Sequence, residues 1–146
     1  MTVPPESQQV RLSERDLQHF CEQIFIKHGV SKEDAHVTTE VLVIADLRGI
    51  ESHGVARLPR YVTGLREGYI HPVYNGKTIK ETKATAVIDA GQSLGQVAGR
   101  KGMELAIRKA RETAVGVVTV RNSNHFGIAG YYAMMALTRS DRDVHD

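Results

Sequence analysis

The chain has 146 residues, 41% hydrophobic and 25% charged, with a formal net charge of +2. Its basic residues are scattered among acidic ones, which excludes the clustered basic stripe of a nucleic-acid binder. The longest apolar run of the first half, residues 41–45, is far too short to cross a bilayer, and the lone Cys21 excludes an intrachain disulfide. The opening MTVPPESQQ lacks the basic-then-apolar pattern of a secretory signal, so the expectation is a soluble cytoplasmic protein without nucleic-acid or membrane partners.

In chain order, residues 1–10 carry Pro4 and Pro5 and little apolar content, and are expected to form a flexible tail. Ser13 is a good N-cap, followed by Glu14 and Asp16 in a first helical turn. Leu17, Phe20, Cys21, Ile24 and Phe25 continue at helical spacing, and Gly29 reads as the stop. Ser31 opens a second helix with Ala35, Thr38, Val41, Leu42 and Ala45 as its apolar stripe, ended by Gly49. The tight turn between them predicts an antiparallel helical hairpin. Residues 49–54 read as a loop and residues 55–67 as a third helix, with Pro59 in its first turn or breaking it. Residues 11–76 therefore form a helical subdomain.

Past Gly76 the pattern changes. Residues 78–81 and 84–88 read as short strands turning at Thr82 and Lys83. Residues 96–113 form a helix with Val97, Met103, Ala106, Ile107 and Ala110 inward and Lys101, Glu104, Arg108 and Arg111 outward. Residues 117–120 are a nearly continuous apolar run, as in a strand buried on both faces. A polar loop and a Gly/Ala/Tyr helix follow. The fold class is α/β, with residues 77–137 starting a second, sheet-containing domain. Residues 138–146 form a charged tail without strand pattern.

Two histidines lie in loops, His53 in Glu51-Ser52-His53-Gly54 and His125 in Asn122-Ser123-Asn124-His125-Phe126-Gly127. If Ser52 caps the third helix, His53 falls in its first turn with Arg57 on the same face, and both the helix end and the guanidinium lower the imidazole pKa. Glu51 or Asp46 nearby would push the other way. Arg57 and Arg60 offer a carboxylate clamp. In the second loop Asn124 and its neighbours offer hydrogen bonds, Phe126 an apolar wall, and Gly127 and Gly130 close backbone approach. The plainer alternative is turn chemistry: capping serines, Asx turns and solvated histidines. The other histidines (His19, His28, His36, His71, His145) follow no ligand spacing, so no metal site is expected. The glycines of residues 91–99 match neither GxGxxG nor a P-loop and read as a turn into the helix. Cys21 and Ser52 lack the context of a nucleophile.

GIESHGVARLPRY, VIDAGQSLGQVAG and VRNSNHFGIAGYYAMMA together resemble the malate/L-lactate dehydrogenase family, also called L-sulfolactate dehydrogenase-like, from about Leu12 to Leu137. The resemblance implies hydride transfer between NAD or NADP and a 2-hydroxy/2-keto acid, on a non-Rossmann mixed-sheet fold and in a homodimer of the full-length chain. It implies catalytic roles for His53 and His125 and substrate contacts from Ser52, Arg57 and Asn124. Family chains run much longer, with most cofactor contacts beyond this chain's last residue. The sequence therefore reads as a truncated N-terminal portion, inactive by itself, whose strand 117–120 would lack sheet neighbours. The alternative is a non-catalytic fragment acting through association with a partner.

Overall fold

The computed structural model describes residue 5 and residues 10–140. Most of the expected flexible tail, and residues 141–146 of the expected charged tail, lie outside the described residues. Helix α1 spans Glu14–Lys27, and the Ser13 hydroxyl accepts the Asp16 N–H at 3.1 Å. Helix α2 spans Lys32–Leu47, with the Ser31 hydroxyl accepting the Asp34 N–H at 3.1 Å. Each hydroxyl satisfies an amide that the helix leaves unpaired. Gly29 and Gly49 follow these helices at φ +86° and +71°. The two helices pack together with Cys21, Phe25, Ala35 and Leu42 in one cluster closed to solvent, and Val41 and Ala45 are buried as well. Burial pushes the Cys21 thiol up to about 11, helped by Asp46 and Glu22, so it is an inert core group. Phe20 departs from expectation and is 58% exposed. It lies about 100° around the helix from Cys21, outside the buried stripe.

The expected third helix is broken into pieces. Two 3₁₀ turns, Glu51–His53 and Val55–Arg57, precede α3, which spans Leu58–Glu67 with Pro59 in its first turn. Gly54 between them is extended, and the Asp46 carboxylate draws the Val55 N–H away at 2.8 Å. Ser52 therefore caps no α-helix, and His53 does not sit in the first turn of one.

Strands β1 (Lys77–Glu81) and β2 (Thr85–Asp89) pair antiparallel, closed by a Thr82 N–H bond to the Thr85 carbonyl at 2.8 Å. Helix α4 (Gly95–Thr113) then carries the chain to β3 (Val117–Arg121), which lies parallel to β2. The order β1-β2-β3 is a mixed sheet. Helix α4 buries Val97 and Ile107 as expected, while Met103, Ala106 and Ala110 are only half-buried. Lys109, which the apolar periodicity leaves unassigned, is buried, its ammonium bonded to the Thr82 carbonyl and the Glu81 carboxylate, both at 2.7 Å. Strand β3 is not enclosed on both faces: Val118 and Val120 are half-buried on the side where α4 packs, while Val117 on the other face is 54% exposed. Helix α5 (Ala129–Ser140) closes the description and runs on through residues 138–140, where a charged tail was expected to begin.

Leu94, which caps α4, and Val97 within it join Cys21, Phe25, Leu42, Leu58, Tyr61 and Ile70 in one apolar cluster. The change of pattern at Gly76 is thus a change of secondary structure, and the core runs across it. No helix among the described residues is long and apolar enough to cross a membrane.

Candidate active site

His53 ends the first 3₁₀ turn, with the Ser52 hydroxyl 2.9 Å from its Nδ1. Arg57 folds back so that its Nε donates to the Ser52 carbonyl at 2.6 Å. The turn is fastened to the end of α2 through Asp46 and Val55, and a Cβ on Gly54 would collide with the Asp46 carboxylate. Burial raises the Asp46 pKa, the Val55 N–H opposes the rise, and Glu51 adds to it.

The second loop leaves the C-terminal end of β3. Asn122 turns it with a positive φ of 51°, and its side chain donates to Asp89 at 2.9 Å. Asp89 also accepts the Gly91 N–H and the Arg121 Nε, and these bonds, Asn122 first, hold its carboxyl below the usual range. Asn124 donates its amide nitrogen to the Gln92 and Ser93 carbonyls at 2.8 and 3.1 Å, so that nitrogen is spent on the backbone ahead of α4. Helix α4 begins directly under this loop, for a Cβ on Gly95 would strike the carbonyl oxygens of Asn124 and His125. Gly127, at φ +82°, approaches Val41 so closely that a Cβ would lie 2.5 Å from its methyl carbon.

These two fastenings bring His53 and His125 together, with ring centroids 5.4 Å apart and planes tilted by 31°. Beneath them Tyr61, 1% exposed, places its hydroxyl 2.6 Å from His125 Nδ1. The Gly127 N–H points at the same nitrogen at 3.4 Å. Burial lowers the His125 pKa, followed by the charges of His53, Arg60 and Arg57. Burial raises that of Tyr61, opposed by Gln96, Arg60 and Arg57. Gln96 is fully buried within electrostatic reach of the Tyr61 oxygen. The geometry falls short of a well-formed hydrogen bond, and neither amide atom has a partner among the described residues.

The structure thus gathers His53, His125, Ser52 and Arg57, and it places Asn124 at the loop's anchorage. Tyr61 and Gln96 were missed. Tyr61 stands four residues after Arg57, a helical spacing that could have flagged it, whereas nothing in the sequence marks Gln96. Two imidazoles this close disfavour a doubly charged state, and imidazoles so placed are suited to handling a proton.

A cleft of about 640 Å³ opens beside the His125 loop between α4, β3 and α5, its walls including Gly99, Val118, Val120, Asn124 and Phe126. Phe126 stacks on Tyr132 with centroids 5.2 Å apart. Gly99 and Gly102 are matched to Tyr132 and Val120, where a Cβ would come within 2.8 and 2.9 Å. No Lys or Arg is among the described residues lining this cleft, so nothing there balances a dinucleotide's pyrophosphate. The walls of this cleft alone do not make a nicotinamide dinucleotide site. Among the described residues no three His, Cys, Asp or Glu side chains gather to hold a metal ion.

Residues 12–140 match the family described as malate/L-lactate dehydrogenase. The chain is 55% identical over 113 residues to L-sulfolactate dehydrogenase of Methanocaldococcus jannaschii, covering 77% of this chain and 33% of that one. It is 50% identical over 127 residues to malate dehydrogenase of Pyrococcus abyssi, covering 87% and 35%. The solved structure of malate dehydrogenase from Pyrococcus horikoshii OT3 superposes with a TM-score of 0.87 at 47% identity, over 89% of this chain and 37% of that one. The chain spans about a third of the length of the curated relatives it matches.

Proposed function

We propose, from the premise that this chain belongs to the malate/L-lactate dehydrogenase family, that it carries the acid-binding and proton-handling part of a 2-hydroxy-acid oxidoreductase. The observation that supports this most directly is the meeting of the His53 and His125 rings at 5.4 Å beside Arg57. Interconverting a 2-hydroxy and a 2-keto acid requires a proton to enter or leave at the C2 oxygen, and a positioned imidazole is suited to that. The Arg57 guanidinium, steered by its Nε bond to Ser52, holds the substrate carboxylate and fixes which face of C2 meets the imidazoles. The Ser52 hydroxyl orients His53 through Nδ1. Asn124 shapes the His125 loop, and its role is to brace that loop against α4 rather than to reach for substrate with its amide nitrogen.

NAD or NADP supplies the hydride chemistry of the complete enzyme, on residues outside those described here. The functional unit on this reading is a cytoplasmic homodimer of a longer chain acting on a small 2-keto or 2-hydroxy acid.

The test is a chimera in which residues 12–140 replace the matching segment of the Pyrococcus horikoshii enzyme, assayed with NADH and NADPH on several 2-keto acids. The expected result is turnover by the chimera and neither turnover nor cofactor binding by the 146-residue chain. A folded but inactive chimera would overturn the proposal. Turnover by the short chain would overturn the assignment of the cofactor site to other residues.

A further inference from the structure

We infer that Tyr61 is a positioning residue that fixes the tautomer of His125, so that the neutral imidazole carries its proton on Nε2 and presents an N–H to the substrate. Three features of the geometry lead there. The Tyr61 hydroxyl lies 2.6 Å from Nδ1 and is closed to solvent, so its proton has that nitrogen as a close acceptor. A backbone N–H can only donate, and the Gly127 N–H is aimed at the same Nδ1 at 3.4 Å. A proton on Nδ1 would face that N–H and leave it unpaired in a half-buried loop. Finally, Arg57, Arg60 and His53 surround the ring with positive or ionisable groups, so the neutral form is the one to consider.

Two donors converging on one ring nitrogen make that nitrogen the acceptor, and the tautomer follows. The consequence rests on the function proposed above. A neutral histidine whose Nε2 bears hydrogen polarises a C2 carbonyl, or steadies the negative oxygen formed from it, by donating a hydrogen bond. It cannot serve as the base at Nε2 while that proton is present. Proton exchange with the C2 oxygen then falls to His53, whose Nδ1 is engaged by Ser52 and whose Nε2 gives up or regains the proton. Tyr61 acts on this chemistry only through His125.

The test uses the 146-residue chain with ¹⁵N-labelled histidine, studied by NMR above the usual imidazole titration range, with no cofactor or substrate present. The expected His125 signature is a protonated Nε2 and an unprotonated Nδ1, with the Tyr61 hydroxyl proton protected from exchange and correlated to Nδ1. In Tyr61→Phe the Nδ1 resonance should move toward that of an unbonded ring nitrogen, while the His53 signals hold. A wild-type spectrum with the proton on Nδ1 overturns the inference whether or not the variant folds. So does a folded Tyr61→Phe whose Nδ1 resonance is unmoved. Because the measurement involves no turnover, its failure is separable from failure of the active chimera.

Discussion

In the α1–α2 hairpin, Cys21, Phe25, Ala35 and Leu42 are closed to water, while in β3 the apolar Val117 is 54% exposed. The two regions differ in where their partners come from. An amphipathic helix joined by a tight turn to another completes its burial with the next element in the chain. A strand's side chains are covered by layers packed on the sheet's two faces, and in β3 the face under α4 is half-buried while Val117, Thr119 and Arg121 on the other are exposed. His53 grows from the first kind of ground and His125 from the second. The site is therefore a junction between a closed helical core and a sheet with one open face.

The strongest way to probe that junction is functional. In the active chimera, His53→Ala and His125→Ala should each lower turnover by about two to four orders of magnitude, the usual range for removing an acid/base or hydrogen-bonding histidine. Steady-state kinetics decides it, and near-normal turnover in both would dissolve the junction as a site. Phe25→Ala, in the enclosed core, should cost about 3–5 kcal/mol, read as a lower midpoint in denaturant. Ser31→Ala removes the α2 cap and should cost about 1 kcal/mol in the same titration. Val117→Thr, on the open strand, should stay within about 0.5 kcal/mol of the parent. A large loss there would show that β3 is covered in solution. The smallest effect is electrostatic. Arg60 is exposed and its charge favours neutral His125, so Arg60→Gln should raise the His125 titration midpoint. That rise should shrink as salt is added.

Helix starts and stops were legible wherever a local rule decides them, as with the Ser13 and Ser31 caps and the glycines that follow α1 and α2. The β1–β2 hairpin and helix α4 were legible from the change of period, while the parallel pairing of β3 with β2 was not read from it. Three further features were not legible. The breaking of 55–67 depends on the Asp46 carboxylate, nine residues away, capturing the Val55 N–H. The exposure of β3 depends on which layers cover the sheet's faces, and its apolar run carries no record of that. Burial of Lys109 depends on the hairpin offering it a carbonyl and a carboxylate across the fold. For the site, composition pointed to both histidine loops and to Arg57, while their convergence is a tertiary fact. Tyr61 was hidden because a tyrosine on a helix face reads equally well as core.

One helix underlies both loops. Near its last turn α2 holds the His53 loop through Asp46, and earlier along its length Val41 receives Gly127, two residues past His125. Both imidazoles are thus gauged from the same rod. Tilting or sliding that rod would carry the two rings along as a pair, so jostling elsewhere in the molecule reaches their spacing only after attenuation.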